Sequence, residues 1–169
     1  MTRKDTDIAR QGRRDRFIKE RIHDPYMMRE KLSEPTVCPE CRAVFQDGRW
    51  EWPSTAVEVA SMREHLCPAC QRVRDHVPAG YLSLAGEFFR NHREEILNLV
   101  HNKVRTEEAE HPMKRLMNVE NADDGSVVIT FTDTHLPHGA GRAIESAYDG
   151  ELDIHYNDDA SIIRVYWKR

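Results

Sequence analysis

The sequence lacks a long apolar run, since no stretch approaches the roughly 18 consecutive apolar residues that cross a bilayer. It opens with Met1-Thr2-Arg3-Lys4-Asp5, which differs from the apolar segment of a secretory signal peptide. We therefore expect a cytoplasmic protein with no membrane partner. With 169 residues, the chain is long enough for one ordinary domain and a small additional module.

Cysteine is scarce, and its four copies form two Cys-Pro-x-Cys pairs, at Cys38 and Cys41 and at Cys67 and Cys70. A reducing cytoplasm disfavours disulfides and leaves metal binding as the better interpretation. Each pair can hold one metal with two thiolates at about 2.3 Å, and two pairs complete a closed tetrahedral site. The spacing predicts one structural Zn²⁺ bound by the four cysteines, with His65 as the alternative to one of them.

Well-known catalytic motifs are also missing, since the chain contains no Walker loop, no His-Glu-x-x-His and no Gly-x-Ser-x-Gly. A polar group at predicted element boundaries remains as a candidate enzyme site: His111, Asp133, His135 and Arg142. Gly139 and Gly141 precede Arg142 at the expected start of a helix, where backbone N–H groups can hold a phosphate. Turn formation and helix capping compete with catalysis as explanations of this group.

Charge is unevenly distributed along the chain. Residues 1–31 contain ten Lys and Arg against six Asp and Glu, a net of +4, so the total of −4 leaves −8 for the remainder. A basic arm on an acidic body suggests that the arm binds polyanions. Residues of the arm and of the cysteine region form the candidate nucleic-acid site: Arg10, Arg13, Arg14, Arg16, Lys19, Arg21, Arg42, Arg49, Trp50, Arg72 and Arg74. Trp50 and Trp52 can stack on unpaired bases or pack the core of the cysteine region.

Local patterns divide the chain into an arm (1–34), a zinc-ribbon module (35–80) and an α+β domain (81–169). Asp47-Gly48 predicts a tight hairpin between the cysteine pairs, and residues 55–66 predict a short helix. An amphipathic helix is expected over 86–104. The last 56 residues alternate in hydrophobicity as strand, strand, helix, strand and strand, which predicts a four-stranded antiparallel sheet packed on helices.

Several motifs resemble a bacterial zinc-ribbon family of uncharacterised function: the two cysteine pairs, Gly48-Arg49-Trp50-Glu51-Trp52, Pro78-Ala79-Gly80, Glu110-His111-Pro112, Asp133-Thr134-His135 and Val165-Tyr166-Trp167-Lys168-Arg169. More distantly, paired cysteine knuckles before an α+β domain are similar to the archaeal and eukaryotic adaptors that guide export of the large ribosomal subunit. That resemblance implies a ribosomal partner and is carried only by the four cysteines.

Three functional hypotheses follow. The first is a non-enzymatic zinc-binding adaptor that binds RNA, in a ribosomal context, through the arm and the ribbon. The second is a protein-interaction or regulatory module that uses the acidic α+β domain. The third is an enzyme that uses the polar group around His111, Asp133 and His135, and it requires these side chains to meet within hydrogen-bonding distance.

Overall fold

The computed structural model describes residues 24–26, 28, 31–54, 61–157 and 161–169. The basic positions Arg10, Arg13, Arg14, Arg16, Lys19 and Arg21 lie outside the described residues, as do residues 55–60 of the expected short helix and the expected turn at 158–159. Within the described chain, nine strands and four helices form an α+β fold with two sheets.

The smaller sheet carries the first cysteine pair. It has the order β3-β2-β1-β4 and contains β1 (Thr36–Val37), β2 (Val44–Gln46), β3 (Arg49–Glu51) and β4 (Arg63–Glu64). The hairpin predicted at Asp47-Gly48 is confirmed: both residues have positive φ, 52° and 78°, and Phe45 pairs with Trp50. The helix expected over 55–66 is wrong in its second half, because Arg63 and Glu64 form β4 and pair in parallel with β1.

The second cysteine pair begins a helix, α1 (Pro68–Asp75), which leads directly into the larger sheet. That sheet has the order β6-β7-β5-β9-β8. Its strands are β5 (Gly80–Ala85), β6 (Leu116–Asn121), β7 (Val127–Phe131), β8 (Glu151–Asn157) and β9 (Ile162–Lys168). The remaining helices are α2 (Glu87–Asn91), α3 (Arg93–Glu110) and α4 (His135–Tyr148).

The predicted four-stranded antiparallel sheet is therefore corrected to five strands with mixed pairing. The four expected strands and the intervening helix are present, but β5 lies between β7 and β9 and runs parallel to β9. Its start at Gly80 coincides with the expected turn at Pro78-Ala79-Gly80. Strand β5 has only six residues in which buried and half-buried side chains alternate. The proline and glycine beside it favour a turn, so the sequence pattern did not indicate a strand.

One face of the larger sheet is buried under helices. Along β5, Leu82 and Leu84 are buried, while Tyr81 and Ser83 on the opposite face are only half-buried. The core joins these inward residues to Ile96, Val100 and Val104 of α3, to Ala140 and Ile144 of α4, and to Trp167 of β9. Burying the side chains of one sheet face in this way is the main source of stability in such a domain.

The amphipathic helix expected over 86–104 is split into α2 and α3 at His92, which has φ −118° and stacks on Phe88 with ring centroids 3.9 Å apart. The second helix continues to Glu110. Among the described residues, no helix combines the length and the apolar composition needed to cross a membrane.

Candidate metal centre

The first cysteine pair lies in a tight turn that follows β1. The Cys38 amide donates to the Ala43 carbonyl at 2.8 Å, and the Arg42 amide donates to the Cys38 carbonyl at 3.0 Å. Arg42 closes this turn with a φ of 67°, in the left-handed region that few non-glycine residues adopt. The turn brings the Cys38 and Cys41 side chains to the same side of the chain.

The second pair is positioned by the start of α1. Cys67 is the N-cap residue, Pro68 occupies the first helical position, and the Cys70 amide donates to the Cys67 sulfur at 3.4 Å. A proline is well suited to this position because its missing N–H would have no helical acceptor. The helical turn therefore fixes the spacing of the two sulfurs.

The two pairs meet in one cluster. The sulfurs of Cys38, Cys41, Cys67 and Cys70 all lie within 4.8 Å of one another, and Cys41 Sγ and Cys67 Sγ are 3.7 Å apart. Cys38, Cys67 and Cys70 are buried, whereas Cys41 is half-buried. The Cys67 amide also donates to the Cys38 sulfur at 3.4 Å. This arrangement can hold a metal ion. Among the described residues, no other cluster of His, Cys, Asp and Glu side chains is placed to do so.

Arg115 brings a positive charge to the cluster from a distant part of the chain. Its Nη1 atom donates to Cys70 Sγ at 3.3 Å, and Nη2 lies 4.0 Å from Cys67 Sγ. Its Nε atom donates to the Pro112 carbonyl at 2.7 Å, and its backbone amide donates to Thr132 Oγ1 at 2.9 Å. The segment between α3 and β6 thus holds the guanidinium against the sulfurs.

The cluster changes the proton affinity of its members. A hydrogen bond with Cys67, aided by Arg115, lowers the pKa of Cys41 to about 4. The same hydrogen bond and burial raise the pKa of Cys67, and burial raises the pKa of Cys70 to about 12. Burial opposes charge on Arg115, but its contacts with Cys41 and Cys70 outweigh this effect and raise its pKa. The guanidinium therefore stays charged beside the sulfurs.

Arg115 was not among the residues predicted from the sequence. It lies 45 positions after Cys70, on a segment with no local pattern that relates it to the cysteines. Trp52 also contacts Arg115, whose guanidinium lies 5.7 Å from the centroid of the Trp52 ring. The indole Nε1 of Trp52 donates to the Glu108 carbonyl at 2.6 Å. The metal-site region is consequently attached to α3 and to the start of β6.

The structure places the predicted nucleic-acid residues of the ribbon in different environments. Arg42, Arg49 and Arg74 are exposed. Arg49 pairs with Glu51, and Arg74 lies 3.8 Å from Asp75. Trp50 is half-buried and packs against the cysteine cluster. The centroids of the Trp50 and Phe45 rings are 5.5 Å apart and the rings are tilted by 57°, as expected for a core side chain.

Arg72 is buried, with only 3% of its surface exposed. Its guanidinium donates to Asp24 Oδ1 at 2.5 Å and to the Val77 carbonyl at 3.0 Å, and it lies 4.5 Å from the Tyr26 ring centroid. These contacts attach residues 24–26 to α1. Because its guanidinium is buried against these partners, Arg72 is not accessible to a nucleic-acid phosphate, contrary to its place in the predicted nucleic-acid site.

Of the four residues in the polar group, Asp133 binds the first turn of α4. Asp133 accepts hydrogen bonds from the backbone amides of His135, at 2.8 Å, and Leu136, at 3.3 Å, and burial raises its pKa. His111 and His135 are exposed, and no side-chain hydrogen bond joins the three residues in the part of the chain described here. Arg142 pairs with Glu145 in the middle of α4. Because α4 begins at His135, Gly139 and Gly141 lie inside the helix rather than at its first turn.

Comparison of the chain with protein-family models, with curated proteins and with solved structures finds no match in any of the three.

Proposed function

We propose that the four cysteines bind one Zn²⁺ ion with a structural role. A tetrahedron with Zn–S bonds of about 2.3 Å has edges of roughly 3.8 Å, and Cys41 Sγ and Cys67 Sγ are 3.7 Å apart. Four thiolates fill the coordination shell and leave no position for a water molecule, so the ion would stabilise the fold and perform no chemistry. Arg115 supports this assignment, because a dianionic four-thiolate zinc site favours a nearby cation.

We further propose that the protein is a non-enzymatic adaptor that binds RNA. The observation that carries this proposal is the separation of charge, with +4 in residues 1–31 and −8 in the remaining residues. A cationic segment on an anionic body favours contact with phosphates through that segment alone. Arg42, Arg49 and Arg74 are exposed on the ribbon and can extend the contact. The resemblance to ribosomal export adaptors, which the four cysteines alone carry, makes ribosomal RNA the first candidate to test.

The test is RNA binding by the full-length protein over a range of salt concentrations. Replacement of Arg13, Arg14 and Arg16 by alanine should weaken binding to every RNA tested and reduce the dependence of log K on log salt by roughly one for each phosphate that is no longer neutralised. The matched control replaces Arg90, Arg105 and Arg142, which are exposed on helices α2, α3 and α4. Binding that is insensitive to salt and to the arm substitutions would refute the RNA-binding proposal.

A protein partner is the second candidate, and exposed apolar side chains at the end of α1 favour it. Val73 and Val77 are 41% and 39% exposed. Exposed apolar side chains of this kind can mark a protein-interaction site. Affinity purification with and without nuclease separates the two candidates, because a directly bound protein remains after RNA is destroyed.

A further inference from the structure

The larger sheet has one face that its helices leave open. Side chains on this face of β5, β6, β7, β8 and β9 are exposed or half-buried in the described chain, except for the buried Thr130. Most of them are polar or aromatic, with Val128 and Ile162 among the aliphatic exceptions, whereas those on the opposite face are mostly aliphatic. Such a solvated face normally alternates with the buried one and carries polar and charged side chains. Here two tyrosines, on β5 and β9, accompany them.

The strand register arranges this face into two rows across the sheet. The first row, from β6 to β8, contains Asn118, Thr130, Tyr81, Arg164 and His155. The adjacent row contains Glu120, Val128, Ser83, Tyr166 and Asp153. The two tyrosines therefore lie on the neighbouring strands β5 and β9, in successive rows, with Arg164 directly opposite Tyr81. The Arg164 guanidinium lies 5.1 Å from the Tyr81 ring centroid.

The open face carries the carboxylates of Glu120 and Asp153 on its two edge strands, β6 and β8, and the guanidinium of Arg164 on β9 between them. The carboxylate of Glu120 accepts a hydrogen bond from Asn118 at 3.1 Å, and that of Asp153 lies 2.7 Å from His155 Nε2. Arg164, in contrast, has no carboxylate partner among the described residues and contacts only an aromatic ring. Its charge is available to a phosphate group.

A cleft adjoins the first row at the end of α1. It has a volume of about 520 Å³, and it is bounded by Val73 and His76 on one side and by Tyr81, Asn118 and Thr130 on the other. This volume falls in the range of small-molecule sites, which combine an apolar lining with a few hydrogen-bonding groups. The aromatic, apolar and hydrogen-bonding groups that line the cleft suit a polar heteroaromatic group such as a nucleobase.

We propose that the open face of the larger sheet binds unpaired bases of single-stranded RNA, with Tyr81 and Tyr166 as stacking surfaces and Arg164 as a phosphate contact. Aromatic side chains on neighbouring central strands of an open sheet are a recurrent means of binding unpaired bases. The inference rests on the proposed RNA-binding function and adds the chemical form of the ligand. Bases inside a duplex cannot reach such a surface, so single strands are preferred.

The experiment measures binding of a short fluorescent single-stranded RNA, and of the same sequence as a duplex, to full-length protein at low salt. Tyr81→Ala and Tyr166→Ala should each weaken single-strand binding by about fivefold or more, while the phenylalanine variants retain it because the ring is preserved. Tyr156→Ala is the matched control, since Tyr156 is 63% exposed but lies on the opposite side of β8. Tyr166, which is 43% exposed, carries the test alone if the Tyr81 variant does not fold.

The outcomes separate this inference from the RNA-binding proposal itself. Unchanged single-strand binding by both alanine variants, together with weaker binding by the Arg13, Arg14 and Arg16 variant, would overturn the stacking surface and leave RNA binding in place. Equal weakening of single-strand and duplex binding by the tyrosine variants would also overturn it. Absence of RNA binding by the unmodified protein at low salt would refute both.

Discussion

At the scale of single residues, Arg115 connects the two parts of the molecule. Its side chain contacts the sulfurs of Cys67 and Cys70, and its backbone amide contacts Thr132 at the end of β7. The hydroxyl of Thr132 in turn donates to the Met113 carbonyl at 2.7 Å. Met113 itself packs against the cysteine cluster. A change at the metal site can therefore reach the larger sheet through a short chain of direct contacts.

We predict that Arg115→Ala weakens zinc binding by about 10- to 100-fold, the usual effect of removing a group that supports metal ligands. The substitution removes a positive charge and a hydrogen-bond donor from the sulfur cluster. Competition with a chromophoric zinc chelator measures the affinity. Arg142→Ala serves as the control because Arg142 is exposed and pairs with Glu145 on its own helix. Equal affinities for the two variants would show that Arg115 does not support the site.

At the scale of secondary-structure elements, close packing of α4 on the sheet depends on a glycine. A Cβ atom at Gly141 would lie 2.6 Å from Val165 Cγ1, which is too close, and 3.1 Å from Leu152 Cδ1, which is tight. A Cβ atom at Gly139 would approach only Lys103 Cε, at 3.4 Å, and that flexible side chain can move. Helix α4 therefore contains one glycine with no room for a side chain and, two residues earlier, one with room for a methyl group.

Gly141→Ala should lower the free energy of unfolding by about 1–3 kcal/mol, because the added methyl group overpacks the interface. Gly139→Ala should leave it unchanged or raise it by up to about 1 kcal/mol, since alanine favours the helix more than glycine does. Urea denaturation of the metal-loaded protein compares the two. A destabilising effect of the same size at both positions would contradict the packing described here.

Local sequence patterns predicted some elements well and others not at all. The Asp47-Gly48 hairpin and the strands β6 to β9 were predictable because turn chemistry and two-residue alternation are local properties. Strand β5 was not, because its assignment depends on pairing with β9, whose Ile163 is the partner of Gly80 far away in the chain. The contact of Arg115 with the cysteines was not predictable for the same reason, since it joins residues 45 positions apart. The cysteine cluster could be predicted because the spacing within each Cys-Pro-x-Cys pair is a local property of the sequence.

At the scale of the whole molecule, the metal-site region and the larger sheet form a connected structure. Trp52 contacts the end of α3, Arg115 contacts the cysteines, and α1 leads from Cys67 directly to β5 through residues 76–79. The Ala79 amide and carbonyl also pair with Phe131 and Ile163 of the sheet.

The metal content and coordination of the cysteine cluster test the proposed zinc site most directly. X-ray absorption at the zinc edge, combined with metal analysis of the purified protein, should give one zinc ion per chain with four sulfur neighbours at about 2.3 Å. A protein that contains no zinc and has its cysteines joined as disulfides, or a zinc ion with a shell of nitrogen and oxygen neighbours, would contradict the proposal.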